Sequence, residues 1–339
     1  MREVTCHEID ARRLSEALEG ITGRTVRRWH LMRYDDPSPE RLRELADELL
    51  DHVAARAGTG AALDRAARSV LRTAAECRLG ELSVGCFPNG DQELHFPSIG
   101  ETLSSEETAF GDVVAFGGGR APSARTWLDA FAVLLVSGLV RDRQRVIGLL
   151  LRNDYAPAIR EGVPYSPLDS VSDPADLAAM DALCLYLAEA DGPQPRHWPT
   201  VPLRRPEAGE RAVAAAKLDA IGTPAPDQRL LRVLLDAEQE PFEEALATRL
   251  ADHRESVGPD PAPRTLLPLD ALALAALAVQ VHGWRLDVRS GYLPAELLGT
   301  PDAPQRAGRS RTNELGGWST EEQLRPDCTE GNGSSYAGG

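Results

Sequence analysis

The sequence predicts an all-α or nearly all-α fold, an irregular multi-helix array with at most one short β-hairpin near residues 82–96. Three observations predict it. Apolar residues recur at helical spacing in stretch after stretch, and capping residues or prolines stand just ahead of several of them. Strand-forming residues flank a tight-turn dipeptide in one place only. With 339 residues, 42% hydrophobic and 26% charged, the chain is long enough for one large core or two smaller ones.

Ser38-Pro39-Glu40-Arg41 reads as an N-cap followed by proline at the first helical position. Leu42, Leu45, Leu49 and Val53 then follow at helical spacing. A second helix is expected over 61–82. Residues 123–140 begin behind Pro122 and carry Trp127, Leu128, Phe131, Leu134, Leu135 and Leu139, an almost wholly apolar surface that predicts a buried helix. Helix continues to about residue 151. Residues 174–190 set Leu177, Met180, Leu183, Cys184 and Leu187 on one stripe, and 209–221, 226–238, 241–255 and 269–282 are later helices. The hairpin would pair 82–87 with 92–96 around Pro88-Asn89-Gly90-Asp91, because Asn-Gly supplies the positive φ angles of a tight turn.

Prolines at 193, 195, 199, 202 and 206 forbid helix over 191–206 and suggest a semi-rigid connector. The expected organisation is an N-terminal helical region (1–190), this connector, and a C-terminal helical region (207–299), though one continuous helical stack is equally allowed. Residues 300–339 are polar and rich in glycine and serine, a composition expected to be disordered.

The formal charge is −15, and the pI of about 5.0 argues against nucleic acid as a partner, since that binding needs a basic surface. It leaves room for a basic protein. Five separated cysteines without a C-x-x-C pair point to a reducing compartment. Arg2, Glu3, Glu8 and Asp10 stand where a signal peptide would be apolar, and Pro268 and Asp270 interrupt the most apolar run. The expected location is the cytoplasm, with no membrane partner.

Charge is unevenly distributed. Residues 79–119 hold no lysine or arginine, yet contain seven acids and four of the six phenylalanines. An acidic patch with aromatic anchors suits a surface that captures something basic. The binding candidates are Phe87, Asp91, Glu93, Phe96, Glu101, Glu106 and Glu107. A second cluster joins Trp29, His30 and Tyr34 to Asp35-Asp36, and reads first as a turn leading into the Ser38 cap.

Catalytic signals are weak. Cys86, Asp91 and His95 form the only local nucleophile constellation, and a thiol needs an adjacent base to act. The seven histidines show no H-x-x-x-H or H-E-x-x-H spacing. Gly117-Gly118-Gly119 lacks the spacing of a phosphate loop. No enzyme activity, metal or cofactor is expected.

The run from Ser83 through Val84-Gly85-Cys86-Phe87-Pro88-Asn89-Gly90-Asp91-Gln92 to Glu93 resembles the immunity protein 49 family of bacterial polymorphic toxin systems. So do Arg28-Trp29-His30, Asn153-Asp154-Tyr155-Ala156-Pro157, Val281-His282-Gly283-Trp284 and Tyr292-Leu293-Pro294, over roughly residues 1 to 300. The resemblance implies a helical, non-catalytic protein that binds and blocks a cognate toxin domain, often a nuclease. It transfers no functional residues. The competing readings are a cysteine-dependent enzyme using Cys86 and His95, and a helical adaptor unrelated to toxins.

Overall fold

The computed structural model describes residues 2–108, 121–142, 144–162, 171–199, 201–222 and 224–300. The expected polar tail, Phe110, Asp112 and the triple glycine lie outside the described residues. The fold is essentially all-α with a short antiparallel hairpin.

Helices α1 (Ala11–Leu18) and α2 (Ile21–Tyr34) come first. The long antecedents of the core are α3 (Pro39–Gly58) and α4 (Arg65–Cys86), which pack against each other along their lengths. Leu42, Leu45, Leu49 and Val53 are all fully buried, as their spacing predicts. Asp64 caps α4 by accepting from the Ala67 amide at 2.8 Å, so that helix starts later than its apolar pattern implies.

Helix α5 (Ala124–Val136) is capped by Ser123 and lies between α4 and α12 (Leu269–Gln280). Both α5 and α12 are apolar around most of their circumference, because each is surrounded. Between them the chain forms α6 (Ile147–Leu150), a π-helical turn (Leu151–Tyr155) and α7 (Ala156–Glu161). Pro157 has no N–H to donate and crowds the preceding turn, which suits a local widening to π geometry. The Leu151 carbonyl accepts from the Ala156 amide and, at 3.0 Å, from the Trp127 indole.

Helices α8 (Pro174–Cys184), α9 (Ala208–Asp219), α10 (Pro226–Asp236) and α11 (Gln239–Ser256) complete the array with the short α13 (Ala295–Leu298). The proline-rich stretch leaves and returns at one place. The Ala188 amide donates to the Pro202 carbonyl and the Arg204 amide to the Tyr186 carbonyl, both at 2.8 Å. Helix α9 packs on α8 across it, and one buried apolar cluster takes in residues from both sides.

The strands are few. β1 (Arg2–Val4) pairs in parallel with β4 (Val288–Ser290), backed by α11. The nearly buried Glu243 of α11 accepts from the Asp287 amide at 2.9 Å and from Arg2 at 3.3 Å, which ties both strands to that helix. The hairpin is β2 (Glu93–Phe96) with β3 (Glu101–Ser104), in the register Glu93↔Ser104 to Phe96↔Glu101.

This hairpin corrects the expected one. Residues 82–86 are the last turns of α4, and the strand that pairs with 93–96 follows it in sequence. Val84 and Cys86 alternate with Leu82 like strand residues, but all three are buried on a helix enclosed on every side. The turn at residues 88–90 carries the chain out of α4, with the Gly90 amide donating to the Phe87 carbonyl at 3.0 Å. The hairpin's own turn uses Gly100 at φ +72°, with its amide on the Phe96 carbonyl at 2.9 Å.

Candidate functional site

The acidic window forms a surface built on the end of α4. Leu94, Phe96 and Leu103 point inward from the hairpin and are buried. Glu93, His95, Thr102 and Ser104 belong to the opposite, outer face by the register of the pair. The Ser98 amide fastens the hairpin's turn to α4 by donating to Thr73 Oγ1 at 2.9 Å, and the Gln92 amide closes its open end by donating to Ser105 Oγ at 2.8 Å.

The predicted site residues separate into two groups. Asp91, Glu93, Glu101, Glu106 and Glu107 are exposed. Asp91 accepts from Ser104 Oγ at 3.2 Å, and the Glu106 amide donates to the same hydroxyl at 3.1 Å. Glu101 stands opposite Phe96 at the closed end of the hairpin. The aromatics turn the other way. Phe96 is 1% exposed and belongs to the core beneath the strands. Phe87 is half-buried, its ring 5.8 Å from that of Tyr155. Neither offers a free anchor. Glu81, also within the window, is buried and held by Arg43 at 2.5 and 2.8 Å and by Arg78 at 3.1 Å, so its charge is spent inside the fold.

Sequence reasoning left out the neighbour of this surface. Helix α2 lies beside β3, with the Trp29 indole N–H donating to the Thr102 carbonyl at 3.3 Å. Arg33 pairs with Glu107 at 3.3 Å and stacks its guanidinium over Trp29 and Tyr34, at 5.2 and 5.7 Å from the ring centroids. Trp29 and Tyr34 stood out in the sequence as aromatics beside acids. Their junction with a segment some seventy residues later had no local signal.

The nucleophile constellation is not assembled. Cys86 is fully buried, and burial alone pushes its thiol up to about 12. Among the described residues no hydrogen bond joins Cys86 to His95 or His95 to Asp91. Nor, among them, do three or more His, Cys, Asp or Glu side chains gather where a metal ion could sit. No helix among them is long and apolar enough to cross a membrane.

A cleft of about 770 Å³ lies elsewhere, between the N-terminal segment and the end of α3. At its edge His7 Nδ1 is 2.7 Å from the Tyr292 hydroxyl and Nε2 is 2.9 Å from Thr265 Oγ1. Burial and the neighbouring His253 and Arg254 hold the imidazole of His7 below its ordinary pKa. This cluster joins three distant segments.

A sequence model of the family described as immunity protein 49 matches residues 51–297, nearly three quarters of the chain. The chain belongs to the immunity protein 49 family. The matched segment includes α4, the hairpin and the core helices α5 and α12, and begins within α3, after α2. No curated protein and no solved structure matches the chain. Within this immunity protein family member, the exposed acids of the hairpin are the candidate partner site.

Proposed function

We propose that this chain is an immunity protein that neutralises a cognate polymorphic toxin domain by stoichiometric binding, in the cytoplasm and without catalysis or cofactor. The observation that carries the reading is the set of exposed acids on the hairpin and its flanks: Asp91, Glu93, Glu101, Glu106 and Glu107. They stand in a window that contains no lysine or arginine. Opposite fields accelerate encounter and reject wrongly charged partners. Family membership supplies the kind of partner.

A nuclease toxin suits this surface best, because its cleft is shaped and charged for phosphates. Carboxylates carried on a hairpin would occupy the positions of those phosphates. Tight inhibition also requires desolvated contacts at the centre of the interface.

The test is co-expression with the toxin domain encoded beside this chain. Rescue of growth, with a 1:1 complex in purified form, supports the reading. Unrelieved toxicity at equal expression, with no complex at micromolar concentration, overturns it.

A further inference from the structure

We infer that the partner surface is composite: the outward face of α2, through Leu31 and Tyr34, is the apolar anchor of the acidic hairpin. The occupant is a basic protein domain that presents an apolar socket between cationic side chains. The inference rests on the immunity reading and names the half of the surface which that reading lacks.

Exposure singles out this face. Among the described residues the exposed large hydrophobics are Leu31 at 36%, Tyr34 at 70%, Val171 and Val213. The first two lie three positions apart on one helix, so they share a face. Isolated exposed apolar residues are ordinary, whereas an exposed aromatic beside an aliphatic resembles an interface centre.

Tyr34 is also held in place. Its ring stacks on His30, centroids 5.8 Å apart with a 21° interplanar angle, and Arg33 sits over its ring. A side chain ordered before docking loses less entropy on docking. Arg33 links this anchor to the acids, because the same guanidinium pairs with Glu107. Trp29 fixes the helix to β3 from the buried side.

Charge decides the occupant. Asp35 is exposed at the end of α2, and Glu101 and Glu106 are exposed in the hairpin region. On α2 itself Arg24, Arg28 and Arg33 are paired with Glu48, Glu44 and Glu107, which leaves Arg27 as its exposed cation against these acids, and the window brings none of its own. An anionic lipid surface or a nucleic acid would be repelled. A second copy would bring the same acids and the same net charge of −15. A basic protein surface is attracted by the same field.

The experiment measures association and dissociation rates with the toxin domain encoded beside this chain. The proteins are wild type, Tyr34→Ser, Leu31→Ser/Tyr34→Ser, Glu106→Lys/Glu107→Lys, and Val213→Ser as an exposed apolar control. Expected is about a tenfold or greater rise in dissociation rate for the Tyr34 variants, with association little changed. The acid reversal should instead slow association, and Val213→Ser should match wild type. Thermal unfolding of the Tyr34 variants should match wild type, because the side chain is exposed.

Wild-type dissociation rates in both Tyr34 variants, alongside a weakened acid reversal, would overturn the anchor while leaving the immunity reading intact. Absence of binding by wild type would remove both. A self-associating wild type that Tyr34→Ser converts to monomer would assign the face to a second copy and overturn the inference.

Discussion

Leu94 of the hairpin occupies the space that a side chain on Gly80 would need. A Cβ added to Gly80 would fall on Leu94 Cδ2, well inside van der Waals contact, with Leu42 Cδ1 at 3.4 Å. The acidic surface therefore sits directly on the backbone of α4. Gly80→Ala gains about 1 kcal/mol of helix propensity. Forcing Leu94 aside costs about 1–3 kcal/mol. The net expectation is destabilisation, with the hairpin displaced. Urea unfolding checks the first, and amide exchange at residues 93–104 the second; an alanine variant as stable as wild type would show that Leu94 has room to move.

Asp91→Lys/Glu93→Lys reverses two exposed charges while leaving the buried face of β2 alone. Association with the toxin domain should slow at least tenfold at low ionic strength, and the gap should narrow near 0.5 M salt. Stopped-flow association across a salt series measures it. Equal rates at every salt would reduce these acids to a solvated loop.

Cys86 should react slowly with iodoacetamide in the native protein at neutral pH, and promptly once unfolded. Burial keeps it both inaccessible and protonated. Mass spectrometry of the labelled peptide distinguishes it from the partly exposed Cys6. Rapid native labelling at Cys86 would revive the nucleophile reading.

Arg78 pairs with Asp47 at 2.6 Å and with the buried Glu81 at 3.1 Å. Arg78→Ala leaves Glu81 with Arg43 alone. The expected loss is about 1.5–3 kcal/mol, because the buried Glu81 keeps Arg43 but loses one charge-assisted hydrogen bond. Replacing both Arg78 and Glu81 with leucine should recover part of it. Denaturant titration of the single and double variants reads the difference.

Acid should weaken the fold through its buried histidines. His282 donates to or accepts from the Tyr186 hydroxyl at 3.1 Å, its Nδ1 finds no partner among the described residues, and burial with Arg205 and Arg211 nearby lowers it to about 4. The unfolded chain takes up that proton near pH 6.5 and the folded one only near 4. Stability from this group is therefore intact above 6.5 and falls by about 3 kcal/mol on reaching pH 4. Asp270 opposes it: burial raises its carboxyl to about 6, so lowering the pH favours the fold there. The clean measurement is the difference between wild type and His282→Asn at pH 7 and pH 4.5. A difference that does not change between those two pH values would mean that His282 titrates normally.

Much of the fold was legible because buried helices announce themselves by period and caps. Pro39, Ser123, Pro174 and Pro226 each stand at or beside a real helix start. The end of α4 misled because Leu82, Val84 and Cys86 alternate with the small Ser83 and Gly85, the period-two pattern of a strand, on a helix that is buried on every side. The β1–β4 pairing was illegible since each strand is three residues long and its partner is nearly the whole chain away. The exposed acids could be named from composition, but Phe87 and Phe96 could not be aimed. An aromatic in an acidic stretch reads the same whether it faces solvent or core; the strand register turned Phe96 inward, and the end of α4 set Phe87 against Tyr155.

The pairing of Arg2–Val4 with Val288–Ser290 sets a timetable for synthesis. At about 5–20 residues per second, the N-terminal strand waits roughly 15 to 60 seconds for its partner to be made. Helices α2 to α4 and the hairpin are complete within the first third of the chain, and pack mainly on one another. The proposed partner surface is thus translated well before the strand that fastens residues 2–4 to the fold.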